Sequence, residues 1–298
     1  MFKTVLTSLF VWFSISTHAC DICGCAAGGS YFGILPRFQK NFVSIRFQFK
    51  SFSSMPHETS QDLGHDYFQT TELWGKYVPH PRVQIFAFIP YHNFKRQETG
   101  KETLIHGVGD ISIISNFMII NTGDSIRKKW KQALQIGGGV KIPSGKHEIV
   151  QNNHMVNQNL QPGTGTFDFP LNLLYTLRKK QIGINTELNY TINTVNNQHF
   201  RFGNRLNTSM RVFYWRKYKS ISFIPQLGAT YEKSETNMSF KKSIEFSGGT
   251  GTYALAGFDL YIKNFAFGAS IKKPMVENIS NGLVKSKQKI SVHIIYLF

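Results

Sequence analysis

The sequence predicts an all-β fold, an antiparallel up-and-down transmembrane β-barrel of about twelve strands. Three observations carry this. Blocks of residues alternate apolar and polar with period two, the links between blocks alternate short and long, and the chain ends in an alternating aromatic segment that finishes on Phe298.

The alternation is clearest in three blocks. Residues 42–52 put Val43, Ile45, Phe47 and Phe49 on one face and Ser44, Arg46, Gln48 and Lys50 on the other. Residues 182–192 put Ile182, Ile184, Thr186, Leu188, Tyr190 and Ile192 opposite Gly183, Asn185, Glu187, Asn189 and Thr191, and residues 289–298 put Ile290, Val292, Ile294, Tyr296 and Phe298 opposite Lys289, Ser291 and His293. The same test predicts strands near 67–77, 83–93, 110–120, 132–142, 166–177, 205–215, 220–231, 252–262 and 264–272. Most exceed the roughly 5–6 residues of a soluble strand and match the roughly 9–11 of a tilted membrane-crossing one.

Short links at Val78–Arg82, Arg178–Gln181, Arg216–Lys219 and Lys263-Asn264, with a somewhat longer one at 121–131, are each followed by a long one: 94–109, 143–165, 193–204, 232–251 and 273–288, after a first long link at 53–66. Tight periplasmic turns and long outer loops produce this rhythm. In a bilayer an open sheet edge would leave N–H and C=O groups without water, so the strands must close on one another. The final segment, Ile290-x-Val292-x-Ile294-x-Tyr296-x-Phe298, has the form of the signal by which barrel-assembly machinery takes up its clients, which makes that machinery an expected partner.

Residues 1–19 read as a Gram-negative export leader: Lys3 is followed by the apolar run Val5–Phe13 and the cleavage-like Thr17-His18-Ala19. That run is too short to cross a bilayer as a helix, which takes roughly 20 apolar residues. The expected organisation is therefore a signal peptide over 1–19, a Cys-containing segment over 20–40 that serves as a plug, and an outer-membrane barrel over 41–298.

The formal charge of +17, from 34 Lys+Arg against 17 Asp+Glu, fits nucleic acid, an anionic membrane surface or an anionic solute. Placement decides. The excess sits in connections, at Arg127-Lys128-Lys129, Arg178-Lys179-Lys180, Arg216-Lys217 with Lys219, and Lys285 with Lys287. Three of these clusters fall in periplasmic turns beside Trp130, Tyr214, Trp215 and Tyr218, where headgroup phosphates and an interfacial girdle account for them. Outer-membrane lipid and lipopolysaccharide are the expected partners, and nucleic acid is not.

Strand parity assigns seven basic residues to the lumen, Arg46, Lys50, Lys76, Lys141, Arg205, Arg211 and Lys272, and six acidic ones, Glu72, Asp110, Asp168, Glu187, Glu232 and Asp259. A near-neutral interior with cross-lumen pairing predicts weak ion selectivity. Phe68, Trp74, Phe86, Phe88, Phe213 and Tyr261 share this parity, so the bore is narrow at most.

Three glycine-bearing motifs mark the middle of the chain: Gly107-Val108-Gly109-Asp110, Gly137-Gly138-Gly139-Val140-Lys141-Ile142-Pro143-Ser144-Gly145-Lys146, and Pro162-Gly163-Thr164-Gly165-Thr166-Phe167-Asp168. Over roughly 107–215 the chain resembles a family of outer-membrane channels associated with meta-pathway phenol degradation. Ser144, where the family tends to have Thr, and Lys146, where an acid is common, depart from its pattern. The resemblance implies a barrel and a transport role. Read physically, the glycines shape the barrel rim or clear the wall for a close approach.

Cys20, Cys23 and Cys25 lie within six residues and could gather a Cu or Zn ion, form a disulfide with one thiol left over, or expose Cys20 to lipidation. His65, His92, His147 and His154 show no metal spacing and are expected to be solvated. No His-x-Ser pair, as an outer-membrane phospholipase needs, occurs; His57-Glu58-Thr59 is the nearest. The functional reading is a non-enzymatic, porin-like channel or transporter for a small solute, beside a structural or adhesion barrel and, further off, a lipid-modifying enzyme.

Overall fold

The computed structural model describes residues 40–55, 64–98, 100–122, 129–151 and 153–298. The leader, the segment 20–38 with its three cysteines, and the plug assigned to it lie outside the described residues.

The described residues form a closed antiparallel barrel of twelve staves: β1 (Phe42–Ser54), β2 (Gly64–His80), β3 (Val83–Glu98), β4 (in two pieces, Lys101–Val108 and Ile111–Asn121), β5 (Trp130–Ile142), β6 (Phe169–Lys179), β7 (Ile182–Ile192), β8 (Arg205–Tyr214, continued by Arg216–Tyr218), β9 (Ile221–Ser234), β10 (Gly249–Ile262), β11 (Phe265–Ile279) and β12 (Val284–Leu297). Each pairs with its neighbours in sequence, and β1 pairs with β12 from Phe42↔Leu297 to Ser54↔Val284, which closes the ring.

Several strands run further than the period-two pattern indicates. The stretches 273–288 and 94–109, read as loops, are largely strand: β11 and β12 meet at a single 3-10 turn over Ser280–Gly282, and β3 folds back through Lys101–Val108 as a hairpin. On such extensions the outward face need not be apolar, while Phe94, Ile105, Ile279 and Val284 turn inward and are buried. β4 is also interrupted at Gly109-Asp110, and β6 begins at Phe169 after an isolated Lys141↔Asp168 bridge.

The two faces follow the parity of the sequence. Outward, Ile45, Leu73, Ile113, Ile136, Leu188, Val212, Leu227 and Ile294 form an exposed apolar belt. Inward, Ser44, Arg46, Gln84, Asn116, Asn185, Glu187, Gln226 and His293 are buried. This is a soluble protein inverted, as lipid requires. At the short-turn end, Lys179 lies 4.8 Å over the Trp130 ring, the cation–aromatic pairing of an interfacial band, and Arg178 lies 4.2 Å over Trp215. Trp130, Tyr214 and Tyr218 are exposed there, whereas Trp215 packs against the inner core instead of standing in the girdle.

Arg at Leu188, half-way along an outward face, is expected to cost about 2–4 kcal/mol of stability. Denaturant titration of protein refolded into vesicles measures it. The reverse facing would make Leu188→Arg neutral.

Candidate functional site

The lumen is filled in layers. At the short-turn end, inward side chains from every stave except β5 and β7 meet in an apolar disc that includes Phe42, Trp74, Phe86, Phe88, Ile114, Phe213, Ile224, Tyr261, Ile295 and Leu297. Phe42 meets Trp74 edge-on at 4.7 Å, and Trp74 stacks on Phe88 at 5.7 Å. β7 contributes Gly183, whose missing side chain leaves the space that the Phe213 ring occupies. The disc fills the lumen at the short-turn end.

At the other end a segment of the described chain lies over the lumen. Residues 143–168 fold inward and carry Val156 and Leu160 into a second apolar cluster with Phe52, Phe68, Phe94, Ile105, Ile279 and Val284. A polar network holds this segment, and it draws on all three glycine-bearing motifs. Asp110 accepts from the Gly145 N–H at 3.0 Å and from the Thr164 N–H and hydroxyl at 2.9 and 2.7 Å. Lys141 Nζ lies 3.2 Å from Asp110 and 2.5 Å from Asp168, and donates to Thr164 Oγ1 at 2.7 Å. Asp168 accepts from the Thr166 hydroxyl and from the Thr194 N–H, both at 2.9 Å. The motif glycines pack backbone on backbone: a Cβ on Gly145 would stand 2.8 Å from Gly163 Cα and 2.9 Å from the Gly109 carbonyl carbon. Gly165, at φ +70°, takes a left-handed turn inside the segment. The two neighbouring outer connections meet in a small sheet of Phe200–Arg201, Met238–Ser239 and Lys242–Ser243.

Between disc and cover lie three cavities of about 1080, 750 and 630 Å³, counted with the solvent they open to and lined by charged, amide and apolar side chains. The first two share Arg46, Gln48 and Asn189, and the second and third share Lys50, Asn207, Glu232 and Lys289, so the three adjoin in series. The third reaches Lys233, Ser234 and Gly249 at the outer ends of β9 and β10.

The charged residues picked out by parity occupy these layers as follows. Buried Arg46 pairs with Glu72 and lies 4.9 Å over the Trp74 ring. Arg211 pairs with Glu187 at 3.0 Å and also donates to Asn185 at 3.1 Å. Asp110 and Asp168 hold the inward-folded segment. Asp259 accepts from Gln226 at 3.2 Å and faces His293 at 3.2 Å. Arg205 sits 5.6 Å over the Phe202 ring and lines the first and third cavities, while Lys50 lines the second and third.

Sequence reasoning left out two contributors. His92 was expected to be solvated, but it is buried against Thr70 Oγ1 at 3.0 Å and lines the first cavity. It shares the inward parity of Phe86 and Phe88, which is the signal that locates it. Lys289, absent from the seven lumenal cations, points inward and pairs with Glu232 at 2.5 Å. The balance of seven basic against six acidic residues is therefore uneven along the lumen. Most charges are matched locally, and cations gather around Glu232.

No protein-family model matches the sequence, and no curated protein does. Among solved structures, an outer membrane channel from Pseudomonas putida F1 is similar over 93% of this chain and 100% of its own, at 11% identity and a TM-score of 0.61. The beta domain of the Bordetella autotransporter BrkA covers 87% of this chain and 100% of its own, at 11% identity and a TM-score of 0.48. The NanC porin covers 85% of this chain and 98% of its own, at 10% identity and a TM-score of 0.45. The chain has the fold of outer-membrane β-barrels.

Lys141→Ala leaves Asp110 and Asp168 facing each other without their shared cation, which costs about 3–5 kcal/mol for a buried pair. The cover is expected to loosen while the barrel stays closed. Trypsin should then cut at exposed Lys146 at least tenfold faster than in the wild type, with the heat-dependent gel shift of a closed barrel retained. Unchanged cleavage would show that the network does not hold the segment.

Proposed function

We propose that this chain is an outer-membrane channel or transporter for a small solute, held closed in the conformation described. One observation carries the reading: a barrel with an apolar outer belt keeps a series of adjoining cavities lined by charged and amide side chains between an apolar disc and a separately latched cover. A barrel serving only as a scaffold gains nothing from such a space. Packing apolar side chains through the whole lumen would be cheaper than burying Arg46, Arg211 and Lys141 with their partners. The two closures differ in kind, as a gated path requires. The disc is built from wall side chains, and the cover is one segment pinned by a few polar contacts.

In this reading residues 1–19 direct export, the final strand is taken up by the assembly machinery, and the aromatic and basic band meets lipid and lipopolysaccharide headgroups. The resemblance to channels of meta-pathway phenol degradation extends the proposal to solutes of that size.

Single-channel recording of refolded full-length protein in planar bilayers tests the proposal. Wild type is expected to show low or intermittent conductance. Phe86→Ser/Phe213→Ser, which removes two rings of the disc, should raise it several-fold, and the gel shift reports that the barrel remains closed. Silence from both folded proteins would favour a structural barrel.

A further inference from the structure

We propose that the lumen contains an oxyanion-binding site formed by Lys50, Lys272, Lys289 and Arg205 around Glu232, and that it takes the carboxylate of a small organic acid. The inference rests on the transport reading for its purpose but not for its test.

Three of the cations stand in one row. Lys50 of β1 is directly opposite Lys289 of β12, and Lys289 is directly opposite Lys272 of β11. Like charges opposed across neighbouring strands repel and weaken a sheet. Chains ordinarily avoid two such pairs in succession. Here both pairs point into the lumen.

A single carboxylate serves the row. Glu232, from β9, lies 3.2 Å from Lys272 and 2.5 Å from Lys289. Lys50 makes no hydrogen bond or ion pair of contact distance with a described residue, although Glu232, Lys289, Lys272 and Arg205 all act on it electrostatically. Elsewhere in the lumen the acids are already engaged: Glu72 with Arg46, Glu187 with Arg211 and Asp110 with Lys141. Among the described residues, the three lysines of the row share the single carboxylate of Glu232, which leaves a local positive excess that Arg205 adds to.

Position supplies the second argument. Lys50, Glu232 and Lys289 line both the second and third cavities, and Arg205 lines the first and third. The excess thus sits where the second and third cavities adjoin, below the outer ends of β9 and β10. A solute moving from that rim toward the central cavity meets it. Lys289 also lies 3.8 Å over the Tyr253 ring and 5.8 Å over Phe52, so aromatic surface flanks the cations. An acid with an apolar body fits these surroundings better than a bare inorganic ion.

The test is equilibrium binding to refolded full-length protein in detergent at low ionic strength. Calorimetry would compare benzoate, succinate and inorganic phosphate. We expect saturable binding of one carboxylate probe per chain. Lys50→Gln should weaken it about tenfold or more, the loss of one charge-assisted contact, while Lys217→Gln on the opposite rim leaves it unchanged. Lys50→Gln should also raise the unfolding temperature, because it relieves the opposed Lys50–Lys289 pair. Weaker binding with greater stability distinguishes a ligand site from a structural role.

Phosphate bound more tightly than both carboxylates would overturn the ligand class. Binding unaffected by Lys50→Gln, or no binding of any probe, would overturn the site. Retained binding by a barrel that never conducts supports the site while sinking the channel reading.

Discussion

Closure of the sheet is the constraint from which the rest follows. In the bilayer no water can pair with a free strand edge, so β1 must find β12, and the register from Phe42↔Leu297 to Lys50↔Lys289 is fixed by that meeting. Period two then decides every side chain at once. Ile45 and Ile294 turn to lipid, and Arg46 and His293 turn inward. The lumen inherits whatever lies on the inward face, including charge that a soluble protein would leave at its surface. Pairing of Arg46 with Glu72 and of Arg211 with Glu187 is the answer available in so small an interior.

The layers of the lumen differ in what they can do. The disc takes side chains from nearly the whole circumference and is as rigid as the wall that supplies them. The cover hangs on Asp110, Lys141 and Asp168, with Thr164 and Thr166 relaying between them. One is a packed core and the other a hydrogen-bonded clasp, and a perturbation that releases the clasp need not disturb the core.

The strands were legible because lipid on one side and a polar lumen on the other impose alternation. Their outer ends were not, because in the stretch from Lys273 to Gln288 few apolar residues stand on the outward face, and the buried Ile279, Val284 and Ser286 do not form an apolar/polar alternation in the sequence. The inward fold of residues 143–168 was hidden for another reason. Asp110, Lys141 and Asp168 each read as an ordinary lumenal charge, and nothing in their spacing joins them. The glycines at 109, 145 and 163 carried the only hint, since they mark close approach without saying to what. His92 was readable from parity and was misjudged from its place near a strand end.

The apolar disc also has a consequence for how the chain reaches this state. Phe42, Ile295 and Leu297 come from the first and last staves, and Phe86, Phe213 and Ile224 from the middle. No consecutive part of the chain can assemble it, so its contacts have long sequence separation and form only when the ends meet. Until then the lower lumen is a wet, aromatic-lined cleft. Sealing the seam and drying the floor are one cooperative event, and a barrel stalled before it would display Trp74, Phe86 and Phe88 to the periplasm, the kind of surface that chaperones and proteases detect.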